Sequence, residues 1–180
     1  MRKIYLFAGI VALIACNRSQ KPQQQATSAE ASKIQEDPVL HADDATKKFF
    51  IDMTNASWYT AKLANAATLR SHDQSIIQSA QEIRKSYTLL KDKTKIVSIP
   101  YQVEVPYFHT KDQNDSVRLL QSTDSISFNK QFRDMVHRND VVILKKCDDY
   151  ESTGSHTEDI QKLIDYCRQT VKSNPLGANL

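Results

Sequence analysis

Residues 43–70 read DDATKKFFIDMTNASWYTAKLANAATLR, and no other stretch commits the chain so firmly to one kind of backbone. At about 100° per residue, Phe49, Met53, Ala56, Thr60, Leu63, Ala64 and Ala67 fall on one face, the stripe of an amphipathic helix. Asp43 and Asp44 stand where a cap and first-turn acids belong. About 160–170° from the centre of that stripe lies Trp58, in line with Ile51 and Leu69. This second, thinner apolar line is the candidate interaction face, unless the segment 96–108 covers it.

The same period continues outward. A second helix follows Ser71 or Asp73, with Ile76, Ile77, Ala80, Ile83, Tyr87 and Leu90 on its face. A third is expected over about 127–150, with Phe128, Phe132, Met135, Asn139, Val142 and Ile143 inward. The fourth begins near Ser155-His156-Thr157-Glu158, which matches a capping box. Its stripe is Ile160, Leu163, Ile164, Cys167 and Val171, and Asn174-Pro175 and Gly177 stop it. Glycine scarcity agrees: between 43 and 173 only Gly154 occurs. The expected fold is all-α, an antiparallel four-helix bundle over 43–173 with a tail at 174–180.

One passage resists the helical period. From Ile96 to Phe108, residues Ile99, Tyr101, Val103, Val105 and Tyr107 alternate as in a strand, while Pro100 and Pro106 limit such a strand to an edge. An extended crossover between helices two and three is expected, lying over the bundle or offering an edge to a partner strand. A short helix around 115–121 precedes helix three.

Upstream, Arg2 and Lys3 precede an apolar run from Ile4 to Ala15, and Cys16 follows. A dozen apolar residues match a signal h-region and fall short of the roughly 20 that span a bilayer. Leu13-Ile14-Ala15-Cys16 resembles the bacterial lipobox, which implies a leader over 1–15 and lipid on Cys16. An ordinary secretory signal or a short anchor is the alternative. Asn17 is not the aspartate that, in well-studied sorting systems, retains lipoproteins in the inner membrane. The outer membrane, facing the periplasm, is therefore the expected address.

Removing Arg2 and Lys3 with the leader lowers the formal charge from +3 to +1, which gives no reason to expect nucleic acid as a partner. Residues 16–42 are the lipidated cysteine and a stretch rich in Gln, Ser, Ala and Lys, read as a flexible tether of roughly 28 Å coil dimension.

The order Phe49-Phe50, Ala61-Lys62-Leu63-Ala64, Ile83 to Leu90, Ile99-Pro100, Phe128-Asn129-Lys130-Gln131-Phe132 and Met135-Val136 resembles the bacterial family called domain of unknown function 4142. The resemblance covers about residues 45–172. It implies a ferritin-like four-helix bundle of the cell envelope and brings no established activity. Many members carry an Asp-His pair late in helix two and another in helix three; here Ser86-Tyr87 and Arg138-Asn139 stand there.

A di-metal centre in such a bundle needs inward glutamates and Glu-x-x-His pairs. The nearest approach is Asp134-x-x-His137, which the helical wheel turns to solvent, and no core-stripe residue is Asp, Glu or His. No cofactor, metal site or catalytic residue is expected. His72, His109 and His156 fall at element ends or in loops, and no zinc spacing, phosphate loop or hydrolase triad occurs. Cys147 and Cys167 meet an oxidising compartment, yet a simple hairpin leaves them out of register by roughly 9 Å, more than a disulfide tolerates. Two buried thiols are favoured over a bond. Tyr87 and Asn139 are expected to pair in the core and set helix register, with a small-ligand pocket as the alternative. The functional expectation is a membrane-anchored, noncatalytic module that binds another envelope protein; a ferritin-like metal handler or oxidase is the rival.

Overall fold

Asp43 accepts a hydrogen bond from the Thr46 amide at 2.7 Å and starts α1, Asp44–Arg70. The same device starts α2, Gln74–Ser98, where Asp73 takes the Ser75 amide at 2.9 Å. Asp124 starts α4, Ser125–Glu151, accepting from Ile126 and Ser127, both at 2.9 Å. Each such cap satisfies amides that the helix itself cannot, a contribution of about 1 kcal/mol. The computed structural model describes residues 40–105, 109–154 and 156–177. Among them the chain is all-helical, with α3 at Lys111–Ser122, α5 at Glu158–Lys172 and a 3-10 turn at Ile99–Tyr101 completing the elements.

α1 packs against α2 and α4, and α5 packs against the same two helices. Phe49 near the start of α1 stacks on Tyr150 near the end of α4, with centroids 4.5 Å apart and planes at 20°. The Thr46 and Tyr150 hydroxyls meet beside them at 2.7 Å, so these helices run antiparallel. Tyr101, just past α2, reaches the hydroxyl of Thr157 at the start of α5, which orients that pair likewise. Phe50, Met53, Leu63, Tyr87, Leu90, Phe132, Ile143, Ile164 and Cys167 are all fully out of solvent at the centre. α3 lies apart from this layer, against α1.

Three sequence expectations are corrected. The alternating segment forms no strand among the described residues. Ile96 belongs to α2 and is 64% exposed, Pro100 opens the 3-10 turn, and Gln102 leaves it in the left-handed region with φ of 54°. Among the described residues of the segment, Tyr101 and Val105 are buried in the core, with Val97 and Val103 partly buried against it; proline near the start of a tight turn, where no amide is needed, outweighs the two-residue period. The helix before α4 is longer than expected, beginning after a capping box between Thr110 and Gln113. The box read at Ser155–Glu158 is not the cap of α5: Thr157 holds the cap position, and its hydroxyl pairs with Tyr101 instead of the helix amides.

The packed body also reaches past 43–173. Leu40 and Ala42 lie against the core, with the Leu40 amide donating to the Pro100 carbonyl at 3.0 Å. Asn174 and Leu176 close the other flank. Cys16, the leader and the rest of the tether lie outside the described residues. No helix among the described residues is long and apolar enough to cross a membrane.

Candidate functional site

α4 touches both α1 and α5, so it must bury a face wider than a single stripe. Val136, Asp140, Ile143 and Cys147 therefore join Phe128, Phe132, Met135 and Asn139 inside, while Val142 stays 44% exposed. The expected inward place of Val142 is thus taken by Val136 and Asp140, and the expectation of a core free of acids is overturned at Asp140.

Asp140 is completely buried. Its carboxylate accepts from the Tyr87 hydroxyl of α2 and from the Asn174 amide, at 2.6 Å, beyond the end of α5. Burial raises its pKa to about 6, against the hydrogen bonds from Tyr87 and Asn174 and a smaller pull from His137. Burial, and then the facing carboxylate, push the Tyr87 phenol well above its ordinary range. The expected Tyr87–Asn139 pair does not form. Asn139 instead donates to the Ala56 carbonyl at 2.9 Å and to the Thr60 hydroxyl at 2.6 Å, both on α1. Adjacent positions on a helix point about 100° apart, so Asn139 ties α4 to α1 while Asp140 ties it to α2 and the segment after α5.

Cys147 and Cys167 are both free and fully buried. Their side chains meet, and that contact, with burial, drives the Cys167 thiol well above its usual pKa. A simple hairpin with level helix ends would leave them roughly 9 Å out of register; instead α5 is displaced along α4, which brings position 167 level with 147. Arg168 marks the same register, reaching Asp148 and Glu151 at 2.7 Å each. Two thiols are expected to react with a thiol reagent only after denaturation of non-reduced protein. A count of zero would show that they are bonded.

On the outer face of α1, Trp58 is half-buried. His109 lies across it, ring centroids 4.5 Å apart and planes at 49°, and the Lys91 ammonium sits 5.7 Å from the indole centre. Among the described residues, His109, just past the segment 96–108, supplies part of that cover. Ile51 is also half-buried, whereas Leu69 is 74% exposed. The three do not form one continuous open patch; Leu69 is its open member.

Among the described residues, grooves lie along both sides of α1. One, of ≈ 190 Å³, runs between α1 and α4 over Phe49 and Tyr150. Its edge holds Asp52, which burial would raise but which Lys146 at 2.7 Å and Lys48 at 2.6 Å hold below the usual carboxylate range. The other lies between α1 and α3 beside His109. Among the described residues no three of His, Cys, Asp and Glu gather as metal ligands would; Asp134 pairs with Lys130 at 2.5 Å and His137 is exposed.

No family model, curated protein or solved structure matches the chain. The resemblance to the domain of unknown function 4142 family therefore rests on the quoted residues alone.

Sequence reasoning missed Asp140 and Asn174. The signal for Asp140 was there, because it stands four residues after Val136 and three before Ile143, on the inward side of α4. Nothing local marks Asn174, whose role depends on where α5 ends.

Proposed function

We propose that this chain is a lipid-anchored protein of the bacterial cell envelope that acts by binding, most simply another envelope protein, rather than by catalysis. The observation that carries the reading is the N-terminal order of Arg2-Lys3, the apolar run from Ile4 to Ala15, and Leu13-Ile14-Ala15-Cys16. Lipid on Cys16 supplies the anchor, and Asn17 favours the outer membrane, facing the periplasm.

In this reading the helices are an antiparallel four-helix bundle of ferritin-like type, in the domain of unknown function 4142 family. The closed ring of packing, α1 to α2 to α5 to α4 and back, supports that architecture, with α3 an addition on its outside. The surface offered to a partner is the outer line of α1, where Leu69 is open and Trp58 and Ile51, each half-buried, stand further along the same line.

Cells fed labelled palmitate test the anchor. Wild type is expected to incorporate label and lose its leader. Cys16→Ser should incorporate none and migrate as the larger, uncleaved chain. Label that persists in the variant sinks the assignment. In-cell crosslinking tests the binding role: a discrete partner lost in Leu69→Ser or Trp58→Ala supports it, and a pattern unchanged in both removes this face from consideration.

A further inference from the structure

The opening between α1 and α3 has the chemistry of a site. An ordinary helix–helix contact closes with apolar side chains, and one line of α3 does so: Leu120 is fully buried, and the Gln113 amide on the same line reaches the Asn55 carbonyl at 3.5 Å. The neighbouring line leaves a cavity of ≈ 240 Å³. Asn114, Arg118 and Gln121, spaced four and three residues apart on α3, face Lys62 and Asn65, one turn apart on α1, and His109 also lines it.

The charge of this lining is one-sided. Among the described residues no Asp or Glu contributes to it. Lys62 makes no ion pair among the described residues, and Arg118 reaches only Asp115, at 3.7 Å. Arg84 donates to the Asn65 side-chain oxygen at 3.2 Å, which leaves the Asn65 amide nitrogen as a donor for something else. Both ring nitrogens of His109 are shielded from water, and among the described residues neither makes a hydrogen bond of good geometry, Gln113 being near without reaching one. Burial and then Lys62 hold that imidazole below the ordinary histidine range, and Gln113, the smallest influence, acts the other way. The cavity is smaller than the roughly 300–1,000 Å³ that takes drug-sized ligands. The enclosed part therefore suits a compact group.

We propose that this cavity binds a small organic anion, a carboxylate or phosphate on a hydroxylated body, held by Lys62 and Arg118 with the Asn65, Asn114 and Gln121 amides as its hydrogen-bond partners. Two cations without a lining acid attract the charge, and amides that both donate and accept suit hydroxyl groups. The site lies outside the core and does not depend on the lipid anchor or on a protein partner.

Trp58 provides the readout. It is the only tryptophan in the chain, and it stacks on His109, which lines the cavity. The full chain in detergent would be titrated with inorganic phosphate, glucose 6-phosphate and succinate, with glucose as the neutral control and sodium chloride holding ionic strength constant. Equilibrium dialysis against labelled phosphate and labelled succinate, run in parallel, reads occupancy directly. Saturable binding of either anion is expected, with affinity lowered at least about tenfold, or about 1.4 kcal/mol, in Lys62→Gln and in Arg118→Gln. Both residues are exposed, so unchanged helical circular dichroism is expected in each. Which labelled anion binds more tightly distinguishes carboxylate from phosphate. Uptake of neither labelled anion, uptake unchanged in both variants, or a fluorescence response that chloride reproduces without uptake overturns the proposal.

Discussion

Asp140→Asn is expected to remove about 3 kcal/mol of pH dependence from the folding stability. The native carboxyl titrates at about 6 rather than at the ordinary 3.8, so the folded protein holds this proton to higher pH than the unfolded chain does. Its contribution is therefore most favourable below the unfolded value. It is lost as pH rises from about 4 through 6 and is level above 7, and a shift of two units corresponds to about 3 kcal/mol. Asparagine cannot titrate, so the stability difference between variant and wild type should change by most of that amount, about 2.5 kcal/mol, between pH 4 and 7.5. A difference that stays flat across this range would mean that the carboxyl is not held in the buried setting described.

Tyr87→Phe gives the companion result. At pH 7.5 it withdraws a donor from a buried carboxylate, a loss of about 1.5–3 kcal/mol. Near pH 4, where the carboxyl is neutral, the loss should shrink. Urea denaturation of both variants at the two pH values reads all four quantities, and the Cys167 thiol and the His137 ring, the other groups around this pair, are unchanged in both.

Phe50→Ala is expected to have the largest effect on stability at neutral pH. The ring is wholly buried, tilted against Phe49 at 6.0 Å and against Tyr101 at 5.4 Å. It thus joins α1 to the turn that follows α2. Truncating such a ring costs about 3–5 kcal/mol, part lost transfer energy and part cavity. Domains of this size have about 5–15 kcal/mol in total, and the melting temperature should fall by about 10–20 °C. Leu69→Ala, on the same helix but 74% exposed, should stay within about 0.5 kcal/mol of wild type. Equal losses in the two would mean that the face of α1 has been placed the wrong way round.

The apolar stripes of α1, α2 and α5 were legible because the 3.6-residue period shows them directly. α4 was legible only in part. A narrow wheel chose Val142 where the buried face holds Val136 and Asp140. The crossover misled for a different reason: a two-residue period over Ile99–Val105 reports alternation and cannot tell a strand from a tight turn followed by loop. A capping box forms at Thr110–Gln113, whereas α5 takes Thr157 as its cap residue, with the hydroxyl held by Tyr101 from a distant part of the chain. Long-range pairing of that kind, like that of Asp140 with Asn174, has no local signature. The cavity beside His109 is a property of two helix faces together, so neither α1 nor α3 announces it alone.

The partners of Asp140 bear on timing. Tyr87 precedes it by 53 residues and Asn174 follows it by 34, after every helix has been made. A chain made only as far as α4 can already pack α1 against α2 and α4, yet its central acid still lacks one donor and its α2–α4 cleft still lacks α5. The bond from Asn174 is the latch that can shut only once the last helix is in place.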